Sequence, residues 1–237
     1  MRKTIQTLLL VLGSVVLTQA QTIIPKVGLS LSTTTASVFE EGVENSIGAQ
    51  SGFSFGVAYN KSIGTVGKGV FSLQPELTFV QKGFSVESKG EYYEGEAIYQ
   101  FRTDQKYKLN YLEVPVLAKL EFGTGNVRFF TYVGPSLGFG FGGKLKGEVT
   151  YDDGYDTFKE DIKADIKFGD TPEGDDYNDV YLDNRLDLGA QVGVGATILN
   201  KLSVDVRYGL GFTDLSDDGD STNRVIQFTV GVPLALK

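Results

Sequence analysis

The 237-residue sequence predicts an all-β fold, an eight-stranded antiparallel up-and-down transmembrane β-barrel. Three observations predict it. From Gln21 onward, apolar and polar residues alternate with a period of two, the signature of strands with unlike faces. The connections between these runs are by turns short and long, as in a barrel with tight turns on one side of a membrane and long loops on the other. The composition holds 30 glycines and no Cys, His or Trp, a mix that strands and turns tolerate better than helices do.

The first twenty residues read as a signal peptide, 1–20. Arg2 and Lys3 form a positive start, Leu8 to Leu17 an apolar centre, and Thr18-Gln19-Ala20 a small-residue cleavage site. The apolar centre is shorter than the ~20 residues a spanning helix needs. No other apolar stretch approaches that length, so any membrane insertion is by strands. The barrel domain then occupies 21–237.

Eight strands follow in order, over 22–34, 49–60, 68–84, 105–122, 127–142, 184–198, 201–213 and 223–236. In the second, Phe53, Phe55, Val57 and Tyr59 oppose Ser54, Gly56, Ala58 and Asn60. In the sixth, Leu186, Leu188, Ala190, Val192 and Val194 oppose Asp187, Gly189, Gln191, Gly193 and Gly195. The connections at 61–67, 123–126 and 199–200 are tight turns. Those at 35–48, 85–104, 143–183 and 214–222 are longer and polar, and 143–183 reads as a long acidic extracellular loop.

Alternation alone leaves open which face is inside, since a soluble barrel with an apolar cavity is the inverse of a membrane barrel. The face rich in Phe, Tyr, Leu and Val would overfill an eight-stranded lumen, whereas the Gly- and Ser-rich face fits one. Aromatics near strand ends (Tyr59, Phe84, Tyr107, Phe122, Phe141 and Phe212) read as interfacial girdles.

The run "YLEVPVLAKL", Tyr111–Leu120, carries a glutamate, a proline and a lysine inside an apolar stretch. Tyr107, Leu109 and Tyr111 read as lipid-facing, and from Leu112 the phase flips to Val114, Val116, Ala118 and Leu120. A β-bulge would account for such a slip. Glu113, Lys119 and Glu121 then point into the lumen, joining Lys26, Glu76, Lys82, Arg128, Asp187, Asp205 and Arg207. Both signs are present, which favours a paired internal network over an ion pathway. Pro75, Pro115 and Pro135 fall inside strands, where proline cannot donate a ladder hydrogen bond.

Other chemistry is thin. Without Cys there is no disulfide or thiolate metal site, and without His the commonest general base is missing. Asp187 and Asp205 alone mark no nucleophile, so the expectation is a non-enzymatic protein without a cofactor. The acidic loop offers Asp152, Asp153, Asp156, Asp175, Asp176 and Asp179 as oxygen ligands for a hard cation, although their spacing matches no EF-hand. A net charge of −8 argues against nucleic acid as a partner and leaves outer-membrane lipid and another envelope or secretion protein.

The order of motifs resembles the PorT-type outer-membrane β-barrel family of Bacteroidetes-like bacteria. The resemblance rests on "KVGLSLS" (Lys26–Ser32), "LQPELTFVQKG" (Leu73–Gly83), "LNYLEVPVLAKL" (Leu109–Leu120) and "YVGPSLGFGFGG" (Tyr132–Gly143), with the glycine-rich "GAQVGVGATI" late in the chain. It implies a small barrel in the outer membrane of a Gram-negative cell. One family member is associated with the type IX secretion system, and most have no established activity. The chain departs from the usual terminal aromatic of such barrels by ending "PLALK". Three roles follow: a structural or loop-mediated surface-binding barrel, a component of a type IX-like secretion machine, or a small ion-conducting channel.

Overall fold

Alternation of side chains becomes eleven strands in the computed structural model, which describes residues 21–35, 43–94, 97–123, 125–152, 154–169, 179–216 and 219–236. Residues 1–20, read above as a signal peptide, lie outside the described residues. In chain order the strands are β1 (Gln21–Thr34), β2 (Val43–Val66), β3 (Gly69–Glu94), β4 (Ala97–Phe122), β5 (Val127–Asp152), β6 (Thr157–Phe168), β7 (Val180–Leu182), β8 (Leu186–Ile198), β9 (Leu202–Ser216), β10 (Gly219–Gly231) and β11 (Leu234–Leu236). Eight of them close a ring in the order β1-β2-β3-β4-β5-β8-β9-β10, with β10 paired back to β1 and every neighbour antiparallel. β11 continues the wall along the start of β1. Among the described residues no helix is long and apolar enough to cross a membrane.

Around the ring the large apolar side chains point outward and stay exposed. Val27, Leu29 and Leu31 do so on β1, Phe53, Phe55 and Val57 on β2, and Leu186, Leu188, Val192 and Val194 on β8. On β4 this belt runs from Leu112 to Phe122, which is eleven residues, and a tilted membrane strand needs roughly 9–11. Leaving such a surface in water would cost about 25 cal/mol per Å², so lipid is its solvent.

The phase of β4 differs from the sequence reading. Leu109, Tyr111, Glu113, Pro115, Leu117 and Lys119 are all buried on one inward face. The register against β3 is constant from Val70–Glu121 to Glu94–Ala97, with no slip at Leu112. The irregularity lies instead on β5, where Asn110 faces Gly142 and Tyr111 faces Gly140, so Phe141 is the extra residue. Gly142 takes a φ of 148°, a backbone that favours glycine. Leu109 and Tyr111 are inside because the lumen has an apolar layer there, shared with Val80, Leu145, Ile166, Phe168 and Leu215. Phe84 and Tyr107, read as girdle aromatics, stack with ring centroids 4.6 Å apart and pack against that same layer.

The segments read as long loops also carry strand. β3 and β4 each run for 26 residues, well past the belt. Within 143–183, β5 continues to Asp152, β6 pairs antiparallel with it, and β7 pairs parallel with the end of β6. The ends of β2 to β5 and β6 thus form a curved sheet, here called the wing, standing above one rim of the barrel. The tight turns between β2 and β3, β4 and β5, and β8 and β9 lie at the opposite rim with both ends of the domain.

Strand register passes through the three prolines unchanged. Pairing runs to Pro75–Val116 and resumes at Thr78–Glu113, and it runs to Pro115–Ser136 and resumes at Ala118–Val133. Where the β2–β3 ladder shifts between Ala49 and Ser54, Ser30 and Ser32 of β1 donate to the β3 carbonyls of Gln81 and Gly83 at 2.6 and 2.9 Å. Gly83 has a φ of 155°, and a Cβ there would lie 1.9 Å from the Tyr107 carbonyl oxygen. Gly83→Ala is therefore expected to destabilise the folded barrel by about 2 kcal/mol or more, read as a lower urea midpoint for protein refolded into lipid vesicles. An unchanged midpoint would show that this strand contact is not tight.

Candidate functional site

The charged residues of the inner face meet in three layers along the lumen. Nearest the wing, Lys82 of β3 lies 2.5 Å from Glu113 of β4 and 2.8 Å from Asp187 of β8. In the middle, the Arg207 guanidinium of β9 spans both oxygens of Glu76 of β3 at 2.8 and 3.2 Å. Lys26 of β1 and Asp205 of β9 complete that layer, 2.9 Å apart. Toward the tight turns, Glu121 of β4 takes Lys119 at 3.4 Å and Arg128 of β5 at 3.0 Å. These are five cations and five carboxylates, all well buried except Arg128, whose side chain is 37% exposed at the rim.

Neutral side chains stitch the layers together. Gln191 of β8 donates to Glu113 at 3.0 Å and accepts from Arg207 at 3.1 Å, linking the first layer to the second. Tyr132 and Thr229 each donate to Asp205 at 2.6 Å, Gln74 donates to Glu76 at 2.7 Å, and Asn223 donates to Asp187 at 2.9 Å. Three of the cations also lie over rings: Lys82 over Tyr111 at 4.9 Å, Lys119 over Phe130 at 4.0 Å and Arg207 over Tyr132 at 5.2 Å. Such contacts add to pairing where water is excluded. The facing glycines make room, since a Cβ on Gly193 or Gly195 would fall within 2.6 Å of the Tyr132 or Phe130 ring. Beside Glu76 and Arg207 the lumen holds a void of only about 10 Å³.

Above the charges sits the apolar layer. Phe168, at the end of β6, packs edge-on to Tyr111 with centroids 5.6 Å apart and rests against Gly140, where a Cβ would come within 2.5 Å of its ring. The chain is pinned there by hydrogen bonds from the Gly169 amide to the Leu182 carbonyl (2.9 Å), from the Gly140 amide to the Arg185 carbonyl (2.7 Å) and from the Arg185 guanidinium to the Phe168 carbonyl. The lumen mouth under the wing is thereby covered by side chains.

The wing inverts the barrel's polarity. Its inner face continues the lumen wall with Phe101, Val149, Tyr151 and Ile162, which line a groove of about 570 Å³ with Thr103 and Gln105. Its outer face is charged, with ion pairs such as Arg102–Glu87 (3.1 Å), Lys159–Glu148 (2.6 Å) and Lys144–Asp165 (2.8 Å). Hydrogen bonding to Asp165 raises the Lys144 pKa above its ordinary value, and hydrogen bonding to Lys163 lowers that of Asp161.

Half of the candidate cation ligands can be placed. Asp153, Asp175 and Asp176 lie outside the described residues. Asp152 accepts the Gly154 amide at 2.8 Å, and Asp179 pairs with Lys167 at 2.5 Å. Among the described residues no three Asp or Glu side chains, Asp156 included, gather into a metal-holding cluster. The sequence reading also passed over inward residues. Phe130 and Tyr132 alternate with outward Phe129 and Val133, a signal hidden by large residues on both faces. Ile162, Ala164, Ile166 and Phe168 alternate with Lys163, Asp165 and Lys167, so the strand character of β6 was readable under its charge.

A closed antiparallel ring with apolar residues outside and paired charges inside defines a transmembrane β-barrel of the outer-membrane type. The chain belongs to the family described as outer membrane protein beta-barrel domain, whose model matches residues 19–217. No curated protein matches it. Among solved structures it is similar to Ail, the attachment invasion locus protein of Yersinia pestis, with 12% identity, TM-score 0.34, and coverage of 92% of this chain and 100% of that one. Neisserial surface protein A shows 12% identity and TM-score 0.37 over 89% of this chain and 96% of that one. The outer membrane enzyme PagL shows 14% identity and TM-score 0.37 over 88% and 99%. PagL corrects the expectation of a non-enzymatic protein. PagL is an outer membrane enzyme, and at this identity the likeness speaks to the fold and assigns no activity to this chain.

Breaking one side of a buried ion pair leaves a bare charge and costs roughly 3–5 kcal/mol. Glu76→Leu is expected to destabilise the barrel by about that much. Glu76→Leu with Arg207→Met should cost less than the single change, because Lys26 and Asp205 still neutralise each other 2.9 Å apart. Urea midpoints of Glu76→Leu, Arg207→Met and the double variant in vesicles give the comparison. A double variant as damaged as the sum of its parts would mean that the Glu76–Arg207 contact is not an energetic pair.

Proposed function

We propose that this outer-membrane barrel is a rigid platform that presents the wing to a binding partner outside the membrane. The reading is carried by the wing's inner face, a groove of about 570 Å³ of mixed polar and apolar lining, formed by Phe101, Thr103, Gln105, Val149, Tyr151 and Ile162 on strands rather than loops. Its lining side chains are half-buried, and a concave surface of aromatic and aliphatic side chains with a few polar groups suits a ligand or partner segment. Among the described residues, Thr157–Asp165 of β6 pairs only with β5, which leaves that edge for strand addition by an extended peptide. The placement of short turns opposite the wing supports an extracellular wing. The reading includes export by a cleaved signal peptide, 1–20, to the outer membrane of a Gram-negative cell.

A second reading makes the partner a component of a type IX-like secretion machine. The PorT-type order of "LQPELTFVQKG" and "LNYLEVPVLAKL" supports it. The channel reading has less support, since the void beside Glu76 and Arg207 is about 10 Å³, near the lower limit for one water.

The test places a photo-crosslinking residue at Phe101 or Ile162 on the groove, and at Arg102 or Lys163 on the outer face, in cells of the native host. A discrete adduct at the groove positions and not at the outer ones is expected. Adducts at neither pair would sink the platform reading. Mass spectrometry of secreted proteins after gene deletion separates the two readings, because only a secretion component should strand a defined cargo set in the periplasm.

A further inference from the structure

Strand register sorts the charges on the outer face of the wing into rows that run across the strands. In the row nearest the lipid belt, Lys108 of β4 faces Lys144 of β5 directly. In the next, Lys106 faces Lys146, which in turn faces Lys163 of β6. The third row is acidic: Glu87 of β3 faces Asp104, Asp104 faces Glu148, and Glu148 faces Asp161. The fourth is basic again, with Lys89 and Arg102 directly opposed and Lys159 on β6.

Like charges directly opposite each other across a ladder are destabilising, so each row needs compensation. The acidic row has it. Glu87 pairs with Lys89 at 2.9 Å and with Arg102 at 3.1 Å, Asp104 with Arg102 at 3.1 Å, Glu148 with Lys159 at 2.6 Å and Asp161 with Lys163 at 2.8 Å. Its carboxylates are thus taken up by the row above and by Lys163. Of the lysines below, Lys144 has Asp165 at 2.8 Å. Lys106, Lys108 and Lys146 are exposed and have no carboxylate partner among the described residues. A chain of net charge −8 thus keeps three uncompensated lysines together on one patch.

The height of the patch identifies what neutralises it. Lys108 is four residues beyond Leu112, the last outward apolar residue of β4. That is about 13 Å along a strand and roughly 10 Å in height at a barrel strand's tilt. From there a lysine side chain bending toward the membrane enters the headgroup layer, which is roughly 5–8 Å thick on each side of the hydrocarbon, while Lys106 and Lys146, one row further at roughly 15 Å, reach down to its outer edge. We propose that Lys106, Lys108 and Lys146 form a binding patch for phosphate-bearing, anionic lipid headgroups of the leaflet beneath the wing. The patch uses the face of the wing opposite the groove, so it stands independently of any partner held there. Lipid phosphates supply the charge that the sheet lacks, and the wing is held at a fixed height over the membrane.

The experiment reconstitutes the full barrel in nanodiscs of mixed phosphatidylglycerol and phosphatidylcholine and measures by mass spectrometry the ratio of the lipids that stay with the extracted protein. Near an anionic membrane each lysine contributes roughly a fivefold gain in attraction. A several-fold enrichment in phosphatidylglycerol is therefore expected for the unaltered chain, falling to the bulk ratio in Lys106→Gln/Lys108→Gln/Lys146→Gln. A control with the same number of charges removed from the top row, Lys89→Gln/Arg102→Gln/Lys159→Gln, should keep the enrichment. Equal loss in both variants would reduce the effect to net charge and overturn the proposal. An unaltered chain without enrichment, or a lysine variant that keeps it, would also overturn it. All substituted side chains are at the surface, and circular dichroism of each variant verifies that the barrel has formed.

Discussion

A charge held inside an eight-stranded ring has no water to turn to, and the rest of this structure is arranged around that constraint. Desolvating an ion costs several kcal/mol even after relaxation. The lumen meets the cost by matching five cations with five carboxylates, by spanning Glu76 with both guanidinium nitrogens of Arg207, and by placing rings under three of the cations. Gln191 is the hinge of the arrangement, because it is donor to Glu113 and acceptor from Arg207 in one side chain. The glycines of β8 follow from the same demand. Gly193 and Gly195 leave the space that Tyr132 and Phe130 fill, and those rings in turn bring Arg207 and Lys119 under aromatic cover.

The apolar layer above the charges extends this logic. Phe168, Tyr111, Leu109 and Val80 separate the Lys82–Glu113–Asp187 group from the wing side. Electrostatic attraction strengthens as water is excluded, so the cap stabilises the pairs it covers. It also joins two parts of the fold. β6 belongs to the wing through its pairing with β5, yet its last residues, Ile166 and Phe168, are buried in the barrel mouth. A wing anchored in this way moves with the barrel instead of hinging on it.

Much of the ring is legible in a period of two. Runs such as Leu186–Ile198 state both the strand and its faces, and the same period puts Asp187, Asp205 and Arg207 on the face away from lipid. Partnership is not legible in that way, since Arg207 and Glu76 are 131 residues apart and meet only because the ring closes. The phase of β4 is obscured for a physical reason. Assigning every large residue to lipid turns Leu109 and Tyr111 into a slip, whereas this lumen is narrow enough to be sealed by large residues. Charge misleads in the opposite direction at Thr157–Phe168. Dense Lys and Asp resemble a solvated loop, but they occupy alternate positions, and the residues between them are Ile162, Ala164, Ile166 and Phe168.

One rule of alternation therefore serves two solvents in a single continuous strand. Along β4 the outward residues pass from Leu112 in the belt to Asn110, Lys108 and Lys106, while the inward ones pass from Glu113 to Tyr111, Leu109 and Tyr107. Below the crossing, polar groups must hide from lipid inside the ring. Above it, apolar groups turn from water toward the groove. The register of β3, β4 and β5 continues across this boundary, with one bulge at Phe141–Gly142. Backbone hydrogen bonding thus carries the sheet through the interface unbroken while the side chains exchange roles, so a wing strand needs no separate folding unit. Its position relative to the membrane is set by where the apolar belt ends, because the strands run on from that belt without a break in pairing.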